Sequence, residues 1–143
     1  MKKGLQIAKE YFAKGYSPIP IKYRAKQPAI ANWTNVKITN ENIDHYFNGK
    51  DTNFGFLLGD GLIDIDIDDS RILDLAKKVL PEAGVIFGRP SKPSSHYLYD
   101  SDHQETKRFT YKNKTLIEIR SQGCQTVVPP SVHPEGEEIS WER

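Results

Sequence analysis

Three aspartates alternate with three isoleucines in the segment 61–69, which reads Gly-Leu-Ile-Asp-Ile-Asp-Ile-Asp-Asp. Successive side chains of a β-strand point to opposite faces, so the segment predicts one apolar face and one face with a row of carboxylates. Aspartate is unfavourable in strands, and like charges two residues apart on one face repel each other. A divalent cation is the usual compensation, because hard cations prefer carboxylate oxygens.

Two further segments carry polar side chains beside predicted strands. Residues 88–95 are polar and basic, which predicts a flexible loop that either contacts phosphate or is ordinary surface. His96 begins the next predicted strand, a place where a histidine is more often structural than catalytic. Glu118 and Arg120 share one face of a predicted strand over 115–120. They either pair on the surface or add an acid and a cation to the carboxylate row.

Size and composition limit the class of protein. A chain of 143 residues fits one domain with a sizeable core. The formal net charge is +1, so any polyanion site must be a local patch. The single cysteine, Cys124, excludes an internal disulfide and a multi-cysteine zinc site. No apolar run approaches the ~20 residues that cross a membrane, and we expect a cytoplasmic protein without a membrane partner.

Periodicity and turn residues predict the elements around the acidic strand. Thr39 or Asn40 is the predicted cap of a short helix, and Ser70 that of a longer one that ends before Pro81. Strand 53–58, the turn 59–61 and the acidic strand are predicted to form a hairpin. The remaining predictions are a helix over 3–14, an edge strand over 17–22, a short strand over 84–87, a hairpin of 109–111 with 115–120, and a strand over 125–128.

Taken together, these motifs resemble the N-terminal primase-polymerase domain of bifunctional DNA primase/polymerase proteins, in the archaeo-eukaryotic primase superfamily. The acidic strand is similar to the family's first motif, an apolar run that ends in Asp-x-Asp after a glycine. Ser94-Ser95-His96 is similar to the second motif, Ser-x-His, and Glu118 to the third, a single acid on a strand. Weaker similarities are Gly15, the segment 18–20, Lys26 with Pro28, Trp33, and the Pro-Pro-Ser segment within 125–134.

The resemblance implies an α+β fold with a mixed sheet, an RRM-like half and flanking helices, in one domain over residues 1–143. Domains of this family usually run longer and often continue into a helicase, so we expect a minimal or C-terminally truncated version. The implied activity is template-directed nucleotidyl transfer by a DNA primase/polymerase of a phage, plasmid or integrated element. The implied partners are a single-stranded DNA template and primer, nucleoside triphosphates and a replicative helicase.

The same resemblance implies roles for individual residues. Asp66, Asp68 and Glu118 are the expected ligands of two Mg²⁺ or Mn²⁺ ions, and an alignment without a gap leaves Asp64 as an extra carboxylate. His96 is expected to contact the triphosphate of the incoming nucleotide. The other expected nucleotide-binding residues are Ser94, which positions the His96 loop, and Arg120, Arg89 and Lys92, which neutralise phosphate charge.

Other interpretations stay open at this point. The domain is alternatively a catalytically weak nucleotide- and nucleic-acid-binding module that serves a helicase, or a metal-dependent nuclease, which uses similar acidic clusters. The aspartate row alone also suits an edge strand that resists pairing. Lys26 is expected to contact DNA backbone and Trp33 to pack in the core. Ser131 and His133 either line the nucleotide pocket or stabilise their loop.

Overall fold

The structure is a computed structural model that describes residues 3–49 and 51–143. Its helices are α1 (Lys3–Ala13), α2 (Ile43–Tyr46) and α3 (Leu73–Val79), with a 3₁₀ turn at Ser70–Ile72. Its strands are β1 (Pro18–Lys22), β2 (Thr52–Leu57), β3 (Leu62–Ile67), β4 (Val85–Arg89), β5 (Lys92–Asp100), β6 (Lys107–Tyr111), β7 (Lys114–Arg120), β8 (Gln125–Val128) and β9 (Ser140–Trp141). Within the described ranges, no helix is both long and apolar enough to span a membrane.

The chain forms two compact units, and the first contains the described residues up to Leu57 together with Thr126–Glu138. Its strands lie in the order β1-β2-β8, and β1 pairs antiparallel with β2 at the edge of the sheet. Tyr11 of α1 is buried, and its ring meets Phe56 edge-on at 4.8 Å. Gly15, with φ of +91°, ends the helix in the left-handed conformation that glycine adopts without a steric cost.

The second unit contains Leu58–Gln125 and Ile139–Arg143, and it holds a six-stranded sheet in the order β6-β7-β3-β5-β4-β9. Every neighbouring pair in this sheet is antiparallel. The α+β class is therefore confirmed, but the expected mixed sheet is wrong for this unit. Short turns join β4 to β5 and β6 to β7, and such turns produce antiparallel neighbours. The RRM-like half stays a prediction.

The predicted alternation of β3 is confirmed on its apolar face. Ile63, Ile65 and Ile67 are buried with Ala76 of α3 and Tyr97 of β5. Side chains from α3 and β7 pack around them, so the helix covers this face of the sheet. The other face of β3 is left for the aspartates.

The predicted hairpin of 53–58 with the acidic strand is wrong, because β2 and β3 belong to different sheets. The turn between them is tight, since Gly59, Asp60 and Gly61 all have positive φ. Gly59 and Leu62 also exchange two backbone N–H to carbonyl hydrogen bonds. Three successive left-handed residues redirect the chain instead of returning it along β2. β3 pairs with β5 and β7.

Residues 88–95 are not the flexible loop that their composition predicts. β4 runs to Arg89 and β5 begins at Lys92, so only Pro90 and Ser91 lie in the turn. Gly88 permits this close pairing, because a Cβ atom there would lie 2.6 Å from the carbonyl oxygen of Lys92. A tight hairpin replaces the loop.

The helix caps also differ from the prediction by one to three residues. The Asp69 carboxylate, and not Ser70, accepts from the Arg71 N–H at the start of the 3₁₀ turn. α2 begins after Asn42, whose side chain accepts from the backbone N–H of Thr39. Asparagine and aspartate suit such turns as well as serine and threonine do, so composition alone does not separate neighbouring candidates.

Candidate active site

The pairing of three strands places the acidic residues and His96 on one face of the six-stranded sheet. β3 lies between β5 and β7, and Asp66 is directly opposite His96 on one side and Glu118 on the other. Asp64 is opposite Arg120 on β7. Directly opposite residues in antiparallel strands share a face, with Cβ atoms about 4.5–5.5 Å apart. We call this surface the carboxylate face.

His96 is held from two sides. Its Nδ1 lies 2.9 Å from Oδ2 of the fully buried Asp64, and its ring stacks on Phe87 with centroids 4.6 Å apart and planes 5° from parallel. Trp141 in turn meets Phe87 edge-on at 5.3 Å. The hydrogen bond and the stack leave Nε2 directed to Asp66, whose Oδ1 is 3.8 Å away.

The ionisable groups of the carboxylate face shift each other's pKa values. Burial raises the pKa of Asp66, and the neighbouring carboxylates of Asp64 and Asp68 raise it further, against the opposing effect of His96. Burial disfavours the charged imidazolium of His96, yet the Asp64 carboxylate and then Asp66 raise the pKa of His96. The site thus favours a positive histidine between two acids.

Glu118 lies between two arginines. Arg108 of β6 places its Nε 3.3 Å from Oε2, and Arg120 places its Nε 3.7 Å from Oε1. Arg108 is 63% exposed in its side chain, whereas Arg120 is 23% exposed. Glu118 and Arg120 therefore pair with each other on the carboxylate face, where both side chains are largely buried. Arg108 is an additional cation that the sequence patterns did not single out.

Asp68 lies beyond the end of β3, in an exposed position. Its backbone N–H donates to the Leu116 carbonyl at 2.9 Å, which fixes the backbone while leaving the carboxylate at the surface. It lines an open cleft of about 430 Å³ together with Asp69, Ser70, Arg71, Lys114 and Thr115. Asp66 and Asp68 thus differ in environment, one partly buried beside His96 and one in solvent.

Ser94 has a partner that sequence reasoning missed. Its backbone N–H donates to Glu142 Oε1 at 2.8 Å, and its hydroxyl donates to the other carboxylate oxygen. Ser94 has a φ of +48°, and in this conformation its backbone N–H and its hydroxyl both donate to the Glu142 carboxylate. No local pattern links the two residues, which are 48 positions apart.

Two further predicted nucleotide-binding residues, Arg89 and Lys92, flank the β4–β5 turn. Arg89 and Lys92 are opposite each other, and the Arg89 Nε donates to the Ser91 hydroxyl at 3.2 Å. Both side chains are half-buried. Their contact with phosphate stays a prediction.

The residues with open roles lie in the first compact unit. The buried Ser131 hydroxyl accepts from the Phe54 N–H at 2.9 Å, which supports a loop-stabilising role. His133 is 8% exposed and its Nδ1 accepts from the Glu135 N–H. Lys26 is exposed, and Trp33 is half-exposed instead of packed in the core as expected.

The donor chemistry of the carboxylate face fits a hard divalent cation. Asp64 Oδ1 is buried without a hydrogen-bond partner. Burial first, and then the carboxylates of Asp64 and Asp68, raise the pKa of Asp66, and a bound cation would compensate this buried negative charge. In residues 3–49 and 51–143, however, no three acidic, histidine or cysteine side chains are gathered closely enough to hold an ion. The carboxylates therefore have the right chemistry for a metal ion, but in the described residues they do not lie close enough together to coordinate one.

Comparison with known protein families gives a match over most of the chain. No curated protein matches the chain. The family model for the N-terminal domain of bifunctional DNA primase/polymerase matches residues 8–143, which include every residue of the carboxylate face. The chain therefore belongs to the family of bifunctional DNA primase/polymerase N-terminal domains.

Proposed function

We propose that the carboxylate face catalyses template-directed nucleotidyl transfer from nucleoside triphosphates, in DNA replication of a phage, plasmid or integrated element. The observation that carries the catalytic assignment is the position of Asp66 between His96 and Glu118 on one sheet face. Family membership supports the reaction class, and the mobile-element setting rests on the sequence resemblance.

Asp66, Asp68 and Glu118 are the proposed holders of two Mg²⁺ or Mn²⁺ ions. Such ions, when bound, activate the primer 3′-hydroxyl and stabilise the leaving pyrophosphate. Glu118 is held by Arg108 and Arg120 in the structure. We expect the triphosphate to draw at least Arg120 toward phosphate oxygens, which would free the Glu118 carboxylate to act as a ligand.

Asp64 is proposed to position His96, which gives the extra carboxylate of the acidic strand a role. Its hydrogen bond to Nδ1 fixes the ring and directs Nε2 toward the Asp66 side, where a phosphate oxygen would accept a hydrogen bond. The Phe87 stack restricts rotation of the same ring. Asp64 acts through His96 and does not itself touch the nucleotide.

Ser94 is proposed to bind the triphosphate with the donors that Glu142 now occupies. A backbone N–H and a hydroxyl that hold a carboxylate suit a phosphate oxygen equally well. The nucleotide therefore competes with Glu142 for Ser94. Arg89 and Lys92, which are proposed to contact phosphate as well, are paired with each other beside the turn of the same hairpin.

A primer-extension assay tests the proposed reaction. The chain is incubated with a labelled DNA primer on a longer single-stranded template, with dNTPs or NTPs and Mn²⁺ or Mg²⁺. We expect extension that requires both the triphosphates and the cation. Shortening of the primer without triphosphates would instead indicate a nuclease.

Two controls make a negative result informative. Template-only reactions with mixtures of NTPs and dNTPs test synthesis without a primer. Equilibrium binding of a dNTP with Mn²⁺ is measured on the same preparation. Binding without any extension or de novo product would overturn the proposed activity and favour a nucleotide-binding module.

A further inference from the structure

One part of the second unit is both basic and aromatic, and apart from the contact of Arg108 with Glu118 it has no role in the proposed chemistry. The strands β6 and β7 form a hairpin at the edge of the six-stranded sheet, and residues 107–114 are exposed throughout. No acidic residue occurs from Lys107 to Ile117, although the whole chain carries a net charge of only +1. We call residues 107–114 the basic hairpin. Its cations are Lys107, Arg108, Lys112 and Lys114.

Two aromatic rings are exposed among these cations. Phe109 is 44% exposed and Tyr111 is 61% exposed. The ammonium group of Lys107 lies 5.1 Å from the Phe109 ring centroid, and that of Lys112 lies 5.4 Å from the Tyr111 centroid. Lysines are common on a solvent-exposed edge strand, because they discourage pairing with another strand. Exposed aromatic rings do not have this effect and instead mark an interaction surface.

The basic hairpin is next to the carboxylate face. β6 is separated from β3 only by β7, and Arg108 reaches Glu118. Lys114 lines the open cleft that also contains Asp68. The rings and Arg108 lie on different sides of β6, because Phe109 is opposite Ile117 of the isoleucine face and Arg108 is opposite Glu118. A polyanion bound along the rings would therefore run along the sheet edge, where Arg108 reaches the carboxylate face.

We propose that the basic hairpin binds single-stranded DNA, with Phe109 and Tyr111 stacking on bases and the lysines contacting phosphates. Cations on both sides of two accessible rings suit a single strand, whose bases expose their faces, better than a duplex, whose bases are already stacked. That this strand is the template rests on the proposed function, whereas the binding itself does not. The hairpin thus holds the strand at the edge of the sheet that carries the carboxylate face.

Fluorescence anisotropy of labelled oligo(dT) tests this binding without nucleotide or divalent cation. We expect Phe109→Ala with Tyr111→Ala to weaken binding about 10-fold or more, because stacking on each ring contributes substantially to affinity. The ring-preserving pair Phe109→Tyr with Tyr111→Phe should bind like the original chain. Since Phe109 lies opposite Ile117 in the sheet, the exposed Tyr111→Ala alone is measured as well, with circular dichroism to confirm folding.

Variants that remove lysine charges show whether binding depends on the hairpin itself or only on the net charge of the protein. Lys112→Gln with Lys114→Gln should reduce the slope of log K against log salt concentration by about 1.4, because each phosphate that a lysine neutralises on a single strand contributes roughly 0.7. Lys14→Gln with Lys37→Gln makes the same charge change at exposed positions of the first compact unit, outside the hairpin, and should leave binding unchanged.

The outcomes are decisive in both directions. Three results would overturn the proposal: unchanged affinity in the folded aromatic variants, equal weakening in the Lys14 and Lys37 control, or no oligo(dT) binding by the original chain. Failure of primer extension with intact, hairpin-dependent binding would instead refute the catalytic proposal and leave this one standing.

Discussion

The two faces of β3 come from one alternating stretch of sequence, yet they are stabilised in opposite ways. The isoleucine face is buried against α3 and Tyr97, and its favourable free energy comes from apolar area removed from water. The carboxylate face holds a buried Asp64 oxygen without a partner and an Asp66 whose pKa is raised. Such unfavourable arrangements concentrate at functional sites. The first face maintains the fold, and the second is the face to which we assign the proposed chemistry.

The largest effect on stability is expected on the isoleucine face. Ile67→Ala should lower the free energy of unfolding by about 2–5 kcal/mol, because Ile67 is fully buried and the cavity would not collapse completely. Urea unfolding followed by circular dichroism measures the change. Val79→Ala is the control, since Val79 on α3 is 65% exposed and should change stability by no more than about 0.5 kcal/mol. Equal losses in both variants would contradict the assignment of this face.

The next effect is expected on the carboxylate face, in activity. Asp64→Asn should lower primer extension about 10- to 100-fold, the range typical for partners that orient a functional histidine, mainly through a higher KM for the nucleotide. Asp60→Asn makes the same chemical change in the exposed turn and should have no effect.

A double variant decides whether Asp64 acts through His96. If it does, His96→Ala with Asp64→Asn should be no less active than His96→Ala alone, because residues that act as a unit are not additive. Fully additive losses would show that Asp64 acts independently.

The smallest effect is a shift in one titration. In the metal-free protein, the pKa of His96 should lie above its ordinary value of about 6.5, and Asp64→Asn should lower it. A pKa raised by folding stabilises the native state fully below about pH 6.5, and this contribution is lost as the pH rises through the folded value. NMR titration of the His96 ring measures both quantities. A His96 pKa below 6.5 in the original chain would contradict the ion-pair geometry.

Local patterns predicted much of the fold. The alternation of β3, the ending of α1 at Gly15 and the hairpin of β6 with β7 all depend on neighbours in sequence, and all are confirmed. The predicted hairpin before β3 failed because the turn 59–61 specifies a sharp bend but not the partner of the next strand. Pairing of β3 with β5 and β7 is set by contacts between distant residues, which local patterns do not contain.

The site was predictable to a similar extent. Alternation assigned the faces of Asp66, His96 and Glu118, and the strand register placed them side by side. The role that we propose for Asp64 rests on its contact with His96, 32 positions away, which the sequence did not predict. Glu142 on Ser94 had no sequence signal at all, since a lone glutamate near a tryptophan has many ordinary explanations.

Removal of the two predicted metal ligands tests the central claim most directly. Primer extension with dNTPs and Mn²⁺ is measured for Asp66→Ala with Asp68→Ala, alongside the free energy of unfolding. We predict a loss of extension of about 10³-fold or more, since metal stabilisation of the reacting charge contributes several kcal/mol, with no loss of stability comparable to that of Ile67→Ala. Extension that persists in the folded double variant would contradict the account and move the reaction away from the carboxylate face.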